Sequence, residues 1–362
     1  MERFGFVGLP NAGKSSLYNA LAGGGALAAP YAFATVDPNV GVAKVPDARL
    51  LQLAEMSQSK SVVPAAVQFV DIAGLVKGAA QGEGLGNRFL SHIREVDAIV
   101  FVLRAFVDDD VPGSVDPVDQ LETLEIELVY ADLESVEKQI DKRRKAARAD
   151  KTLADEVAAM DTALGHLQAG TPLYRAGLSE EELGLLKPFF LLTAKPAMAL
   201  VNVDESQMED LDSVLSSVRG AFSATGVADE LVLGLCIQLE AEAALLDEES
   251  RVEMLEALGL GEGALPQFLH TAHQLLGLRT YFTTGEKESR AWVFRDGSTA
   301  PQCAGVIHTD FERGFIRAEV IHWDELLECG SWAAARDVGK LRVEGKDYHP
   351  VDGDVMEFRF NV

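Results

Sequence analysis

The chain has no apolar run approaching the roughly 18 residues that a membrane-spanning helix requires, so none is expected. Cysteine is scarce. Cys236, Cys303 and Cys329 are odd in number and far apart, which argues against a disulfide framework or a zinc site. Reduced thiols in a cytoplasmic compartment are the expectation. Met1-Glu2-Arg3 leads straight into a strand-like run and leaves no room for a signal peptide. None of the 7 histidines falls in a metal-ligand spacing. Positive charge is short as well: 32 Lys and Arg face 57 Asp and Glu, a net charge of −25. Bulk electrostatic attraction to DNA is thereby excluded, and any nucleic-acid contact must be confined to a patch. One such patch exists, at Lys138, Lys142, Arg143, Arg144, Lys145, Arg148 and Lys151. Its plainest reading is a solvated helix face.

What is present begins with the loop Gly8-Leu9-Pro10-Asn11-Ala12-Gly13-Lys14-Ser15, which fits the triphosphate-binding pattern G-x-x-x-x-G-K-[ST]. Phe4-Gly5-Phe6-Val7 before it reads as a buried strand, and Ser16 to Leu21 after it reads as a helix. Such a strand–loop–helix turn aims backbone N–H groups and a helix N-terminus at a phosphate chain. Lys14 supplies charge for the β- and γ-phosphates, and the Ser15 hydroxyl is placed to ligate Mg²⁺.

The 362 residues suffice for two or three domains. Strands are expected at Val40–Val45, Ala65–Asp71, Ile99–Leu103 and Ala197–Val201, with a weaker one at Leu231–Leu233. Helices are expected at Gly86–Glu95 and Asp210–Phe222. That alternation predicts a doubly wound, mostly parallel α/β sheet with its ligand at the carboxyl ends of the strands. Residues 118–192 break the rhythm. Leu121, Leu124, Leu128, Ala131, Val136 and Ile140 recur at helical spacing, which predicts an inserted antiparallel helix pair turning near Asp150. The nucleotide domain is then 1–117 with 193–277. From 278 onward, strand-like segments around Tyr281, Trp292, Phe315–Ile321 and Val355–Phe360, with a helix over Ala300–His308, suit a small β-grasp domain.

A Mg²⁺-dependent triphosphatase needs more than its loop. Thr35 lies where a hydroxyl can reach the metal when the γ-phosphate is present. Asp71-Ile72-Ala73-Gly74 has the form D-x-x-G at a strand end: Asp71 would hold Mg²⁺, and the Gly74 N–H would bond the γ-phosphate. Gly78, Gly82, Gly84 and Gly86 follow, which suits a segment that orders and relaxes with the γ-phosphate. Leu75 stands where many GTPases carry a water-orienting Gln, so unaided turnover is expected to be slow. Asn11 is a candidate ligand for a monovalent cation such as K⁺ beside the phosphates. Asn202-Val203-Asp204-Glu205 occupies the place of the guanine-reading N-K-x-D. Val203 replaces the Lys and Glu205 the Asp, so the guanine lock is broken. The Asn202 amide can pair with an adenine N6/N7 edge. ATP is therefore expected over GTP.

Taken together, G-L-P-N-x-G-K-S at Gly8 to Ser15, F-x-T-x-D-P-N at Phe33 to Asn39 and D-I-A-G-L-V-K-G-A at Asp71 to Ala79 resemble the Obg-like ATPases of the YchF type. The likeness continues through Gly82 to Asn87, Asn202 to Glu205, Ala300-Pro301-Gln302, Gly305 to Glu312, Gly314-Phe315-Ile316 and Gly353-Asp354-Val355, and so covers nearly the whole chain. It implies a P-loop domain, a coiled-coil-like insertion and a C-terminal TGS domain. It also implies ATP hydrolysis, Mg²⁺ at Ser15 and Thr35, and association with the ribosome, as the large subunit (50S) and the whole particle (70S). Carried over, Asn11, Ala12, Gly13, Lys14, Ser15 and Ser16 form the phosphate cradle. Asn202, Val203, Glu205 and Cys236 lie at the base. Ala32 departs from the usual proline and Ala12 from a common Val. No membrane or DNA partner is implied, and a monomer is expected. The competing readings are a GTP-dependent ribosome assembly factor, a metabolic phosphotransferase and a nucleotide-binding module in which turnover is incidental.

Overall fold

The computed structural model describes residues 2–23, 40–72, 85–108, 111–223, 229–258, 260, 261 and 263–361. In chain order, strand β1 (Arg3–Val7) runs through the glycine loop into helix α1 (Lys14–Gly23). Next come β2 (Val40–Val45), α2 (Ala48–Met56), the two-residue β3 (Val62–Val63), β4 (Ala65–Asp71), α3 (Leu85–Arg94) and β5 (Ala98–Arg104). The helices α4 (Pro117–Ala149), α5 (Ala154–Gln168) and α6 (Glu180–Leu186) precede β6 (Ala197–Asn202), α7 (Leu211–Ser223) and β7 (Val232–Leu235). Then follow α8 (Ile237–Ala243), α9 (Glu248–Ala257) and α10 (Ala264–Leu275). The remainder is β8 (Leu278–Thr283), β9 (Ser289–Arg295), α11 (Ala300–Ile307), α12 (Thr309–Arg313), β10 (Phe315–His322), α13 (Trp323–Cys329), α14 (Trp332–Asp337), β11 (Arg342–Glu344) and β12 (Asp354–Phe360).

Two compact units divide the chain: residues 1–43 with 68–275, and residues 44–67 with 276–362. The sheet of the first has the order β2-β4-β1-β5-β6-β7. Pairings β1–β4, β1–β5, β5–β6 and β6–β7 are all parallel. The central strands explain why. Every residue of β5 (Ala-Ile-Val-Phe-Val-Leu-Arg) and of β6 (Ala-Met-Ala-Leu-Val-Asn) is buried, as continuous apolar runs require when helices cover both faces. Because β1 lies between β4 and β5, the chain leaves it at the point where the strand order reverses, the ordinary ligand crevice of a doubly wound sheet.

The insertion is helical, as its spacing predicts. Asp116 starts α4 by accepting from the Val118 and Asp119 amides at 2.8 and 3.3 Å, with Pro117 in the first turn. Helix α4 stops at Ala149, and Asp150 caps the reversal into α5. The pair has its own apolar cluster, including Val136, Ile140, Met160, Ala163, Leu167 and Phe189. Its root is tied to the nucleotide core by polar contacts. Glu125 of α4 accepts from the Tyr174 hydroxyl and, at 2.5 Å, from Arg175 Nη2, while Arg175 Nη1 donates to the Ala221 carbonyl of α7 at 2.5 Å. Asp132 accepts from the Leu192 and Thr193 amides and the Thr193 hydroxyl at 2.7–2.8 Å, pinning the returning chain to the same helix.

The second unit holds a sheet ordered β11-β10-β12-β8-β9-β3. Tyr281, Phe294, Ala300, Cys303, Ala304 and Val320 form its core against α11, the β-grasp arrangement expected of a TGS-like domain. Residues 44–67 were placed with the nucleotide domain by sequence, whereas here they belong to this unit. β3 pairs in parallel with β9, Val62 opposite Ser289. Arg49 of α2 donates to Asp352 at 2.6 Å and lies over the Phe282 ring. Helix α2, not expected from the sequence, starts at an Asp47 cap and buries one face through Leu50, Leu53 and Ala54.

Candidate nucleotide site

The loop after β1 is shaped by what its glycines avoid. A Cβ at Gly8 would sit 2.5 Å from the Val102 carbonyl oxygen of β5. Gly13 has φ +101°, and a Cβ there would lie 2.5 Å from Asn202 Nδ2. Asn11 also takes a left-handed φ of 63°, which asparagine tolerates better than most side chains. The chain thus curls tightly enough to point amides inward before α1 begins at Lys14. Ala12 is buried beneath the loop, and Ser16 is exposed on the first turn of the helix.

Lys14 is only 7% exposed, and its ammonium donates to the Gly8 and Leu9 carbonyls at 3.0 and 2.9 Å. Burial lowers its pKa, and the negative charge of Asp71 works against that shift. Asp71 ends β4 beside β1, opposite Phe6, and its Oδ2 accepts from the Ser15 hydroxyl at 2.9 Å. A hydroxyl and a carboxylate, both hard oxygen donors of the kind Mg²⁺ prefers, therefore meet at the phosphate end. This donor pair fits the ion.

Beside the loop opens a cleft of about 770 Å³, lined by Asn11, Gly13, Lys14, Ser15 and Ser16 and by Asn202, Val203, Glu205 and Cys236. Asn202 is 6% exposed. Its Nδ2 donates to the Ala12 carbonyl at 3.1 Å, and its Oδ1 accepts from the Ile237 amide at 3.2 Å. The amide expected to face adenine is thus a strut between the phosphate loop and the start of α8. Asp204 also lines the cleft, and its Oδ1 caps the following 3-10 turn, accepting from Gln207 N at 3.1 Å and Ser206 Oγ at 2.5 Å. Glu205 stands exposed at the lining, and Val203 is buried. The Cys236 thiol is buried, which raises its pKa and makes it a packing group rather than a nucleophile.

Nine of the residues expected at the site thus line one cleft, and a further wall, not expected from the sequence, closes it. Phe106, Val107, Asp108 and Val111, just past β5, line the cleft, as do Leu239 and Leu245 around α8. In the sequence Arg104, closing an otherwise apolar run, reads as an ordinary strand-end charge. Thr35, Gly74 and Leu75 lie outside the described residues.

A parallel sheet, a Gly-Lys-Ser loop at its crevice and a strand-end carboxylate on the loop serine define a P-loop nucleoside-triphosphate hydrolase. Comparison with known proteins narrows the class. A family model described as "50S ribosome-binding GTPase" matches residues 3–149, and the YchF-GTPase C-terminal family, described as "Protein of unknown function (DUF933)", matches residues 278–361. The chain is 47% identical over 362 residues to "Ribosome-binding ATPase YchF" of Bacillus subtilis, with 99% of each chain covered. It is 45% identical, at the same coverage, to the protein of that name from Escherichia coli O157:H7. The solved structure of the Schizosaccharomyces pombe YchF GTPase superposes with a TM-score of 0.88 at 36% identity, covering 99% of this chain and 97% of that one. The chain belongs to the YchF family. The relatives' names disagree on the nucleotide, ATPase in one set and GTPase in the other.

Proposed function

We propose that this protein is a Mg²⁺-dependent ATPase that prefers ATP to GTP, turns over slowly alone and acts as a nucleotide-controlled switch on the ribosome. The observation that carries the base choice is the state of the three positions after Asn202. Val203 is apolar and buried where the Lys would stand, Asp204 falls one position short of the Asp and caps its own turn through Oδ1, and Glu205 stands at the Asp position with a carboxylate one methylene longer. Guanine recognition by N-K-x-D uses an aspartate-length carboxylate at that position to accept from N1 and N2 together, and neither acid matches it in both register and length.

In this reading Gly13, Lys14, Ser15 and Ser16 cradle the phosphates with Asn11 and Ala12 shaping the turn, and Asn202, Val203, Glu205 and Cys236 form the base side. Mg²⁺, once bound, supplies charge neutralisation between the β- and γ-phosphates, and Ser15 and Asp71 are the residues that would hold it, joined by Thr35. Lys14 draws charge from the phosphate oxygens, and the Gly74 N–H orients the γ-phosphate. Leu75 cannot align water, which is the reason for slow unaided turnover. Asn11 would take K⁺ beside the phosphates. The ribosome-facing surface is the tip of the α4–α5 pair. Arg144 is engaged by Asp141 and Asp161, Arg143 by Glu156 and Lys138 by Glu134. Lys142, Lys145, Arg148 and Lys151 are exposed and make no ion pair among the described residues, so they are available to backbone phosphates. The protein is read as a cytoplasmic monomer without membrane or DNA partners. A GTP-dependent assembly factor is the second reading, favoured by the family model over residues 3–149. Competition of ATP and GTP for the purified protein separates the two, and a preference for GTP would defeat the first.

A further inference from the structure

Among the described residues Arg104 is the largest fully buried side chain, 2% exposed at the end of β5. Its backbone is clamped by the buried Gln120 side chain of α4, which accepts from Arg104 N at 2.9 Å and donates to Arg104 O at 2.7 Å. From that fixed point the guanidinium reaches forward along the chain. Nε donates to the Phe106 carbonyl at 3.0 Å, Nη1 to Val111 at 2.9 Å and Nη2 to Asp108 at 3.3 Å, and the guanidinium carbon lies 4.4 Å from the Phe106 ring centre. Phe106, Val107, Asp108 and Val111 are the cleft wall described above. The same segment is joined to the base side directly, because the Ala105 and Phe106 amides both donate to the Asn202 carbonyl, at 2.8 and 3.3 Å. Irregular backbone needs donors for its carbonyls, and a guanidinium is the one side chain whose rigid fork can serve three at once.

We propose that Arg104 is the positioning residue for the base-side wall of the nucleotide cleft: it acts through Phe106 and its neighbours to set affinity for the purine, not the phosphate chain. This rests on the reading that the base lies between that wall and Asn202–Glu205. Lysine at this position keeps the charge but is a point donor that cannot span carbonyls at residues 106, 108 and 111 together.

The test measures Kd for ATP, GTP and inorganic tripolyphosphate, with KM and kcat for ATP, on the full chain and on Arg104→Lys. Leu167→Ala, in the core of the helix pair, serves as a control for general destabilisation. The wall account expects the KM and Kd for ATP to rise about tenfold, kcat to stay within about threefold, tripolyphosphate binding to hold within about twofold, and the ATP-to-GTP ratio to move toward one. Unchanged ATP affinity in the variant overturns the proposal, and so does an equal loss for ATP and tripolyphosphate or the same pattern in Leu167→Ala. If the unaltered protein binds ATP no better than tripolyphosphate, the base-site reading itself falls. Should Arg104→Lys fail to fold, hydrogen exchange of the amides at 105–108 and 111 in the unaltered protein decides. Protection by ATP but not by tripolyphosphate supports the wall, and equal protection by both, or by neither, refutes it.

Discussion

Replacing Asn202 with alanine separates two accounts of one side chain. The amide bridges the Ala12 carbonyl and the Ile237 amide, both well inside the fold. Removing it deletes two hydrogen bonds worth about 1 kcal/mol each net and leaves a buried acceptor and a buried donor unpartnered, at about 1 kcal/mol or more apiece. The expected destabilisation is therefore about 2–4 kcal/mol. For a unit of this size it corresponds to a fall in Tm of very roughly 5–12 °C. Because the strut supports the turn at Ala12 and Gly13, affinity for any triphosphate should fall together, tripolyphosphate included. Differential scanning fluorimetry with titrations of ATP, GTP and tripolyphosphate reads both effects. An Asn202→Ala protein with unchanged Tm and tripolyphosphate affinity that had lost only its discrimination between purines would refute the strut and restore the amide as a reader of the base.

Gly13→Ala should abolish triphosphate binding, since its Cβ would meet Asn202 Nδ2 at 2.5 Å on a backbone with φ +101°; equilibrium dialysis against ATP checks it. Asp132 gives a pH signature. Burial raises its carboxyl to about 6 against the pull of three donors, so between about pH 4 and 6 the folded chain holds a proton that the unfolded chain has released. Its contribution to stability is present below about pH 4 and is lost as pH rises through 6, a swing on the order of 3 kcal/mol. Asp132→Asn should remove that slope from a Tm-against-pH curve, and a parallel curve would contradict it. Arg49→Ala, which loses Asp47, Asp352 and the Phe282 ring, should destabilise the C-terminal unit by about 2 kcal/mol in a denaturant titration. Exchanging Lys142, Lys145, Arg148 and Lys151 for glutamate should weaken co-sedimentation with ribosomes and flatten its salt dependence.

Much of this could be read before any coordinates, where the information is local. The apolar runs at Ile99–Leu103 and Ala197–Val201 mark strands covered on both faces, and Asp150 marks the reversal between α4 and α5 because a capping acid follows a polar, basic stretch. The loop and Asp71 were legible because strand, turn and helix follow one another directly. What escaped depends on partners distant in sequence. Residues 44–67 join the second unit through a ladder to Ser289, more than 200 positions away, and no local pattern encodes that choice. Asn202 looked like a base reader because its residue type suits either task; only the positions of Ala12 and Ile237 reveal the strut. The Phe106 wall went unseen because an arginine at a strand end reads as a surface charge until its three carbonyl partners are in place.

The central claim is that this cradle takes adenine. Competition of unlabelled ATP and GTP against a single fluorescent triphosphate analogue, in Mg²⁺ buffer, tests it most directly. The account predicts displacement by ATP at a concentration lower by about tenfold or more, the scale of one well-placed base contact. Displacement by GTP at the lower concentration would contradict it.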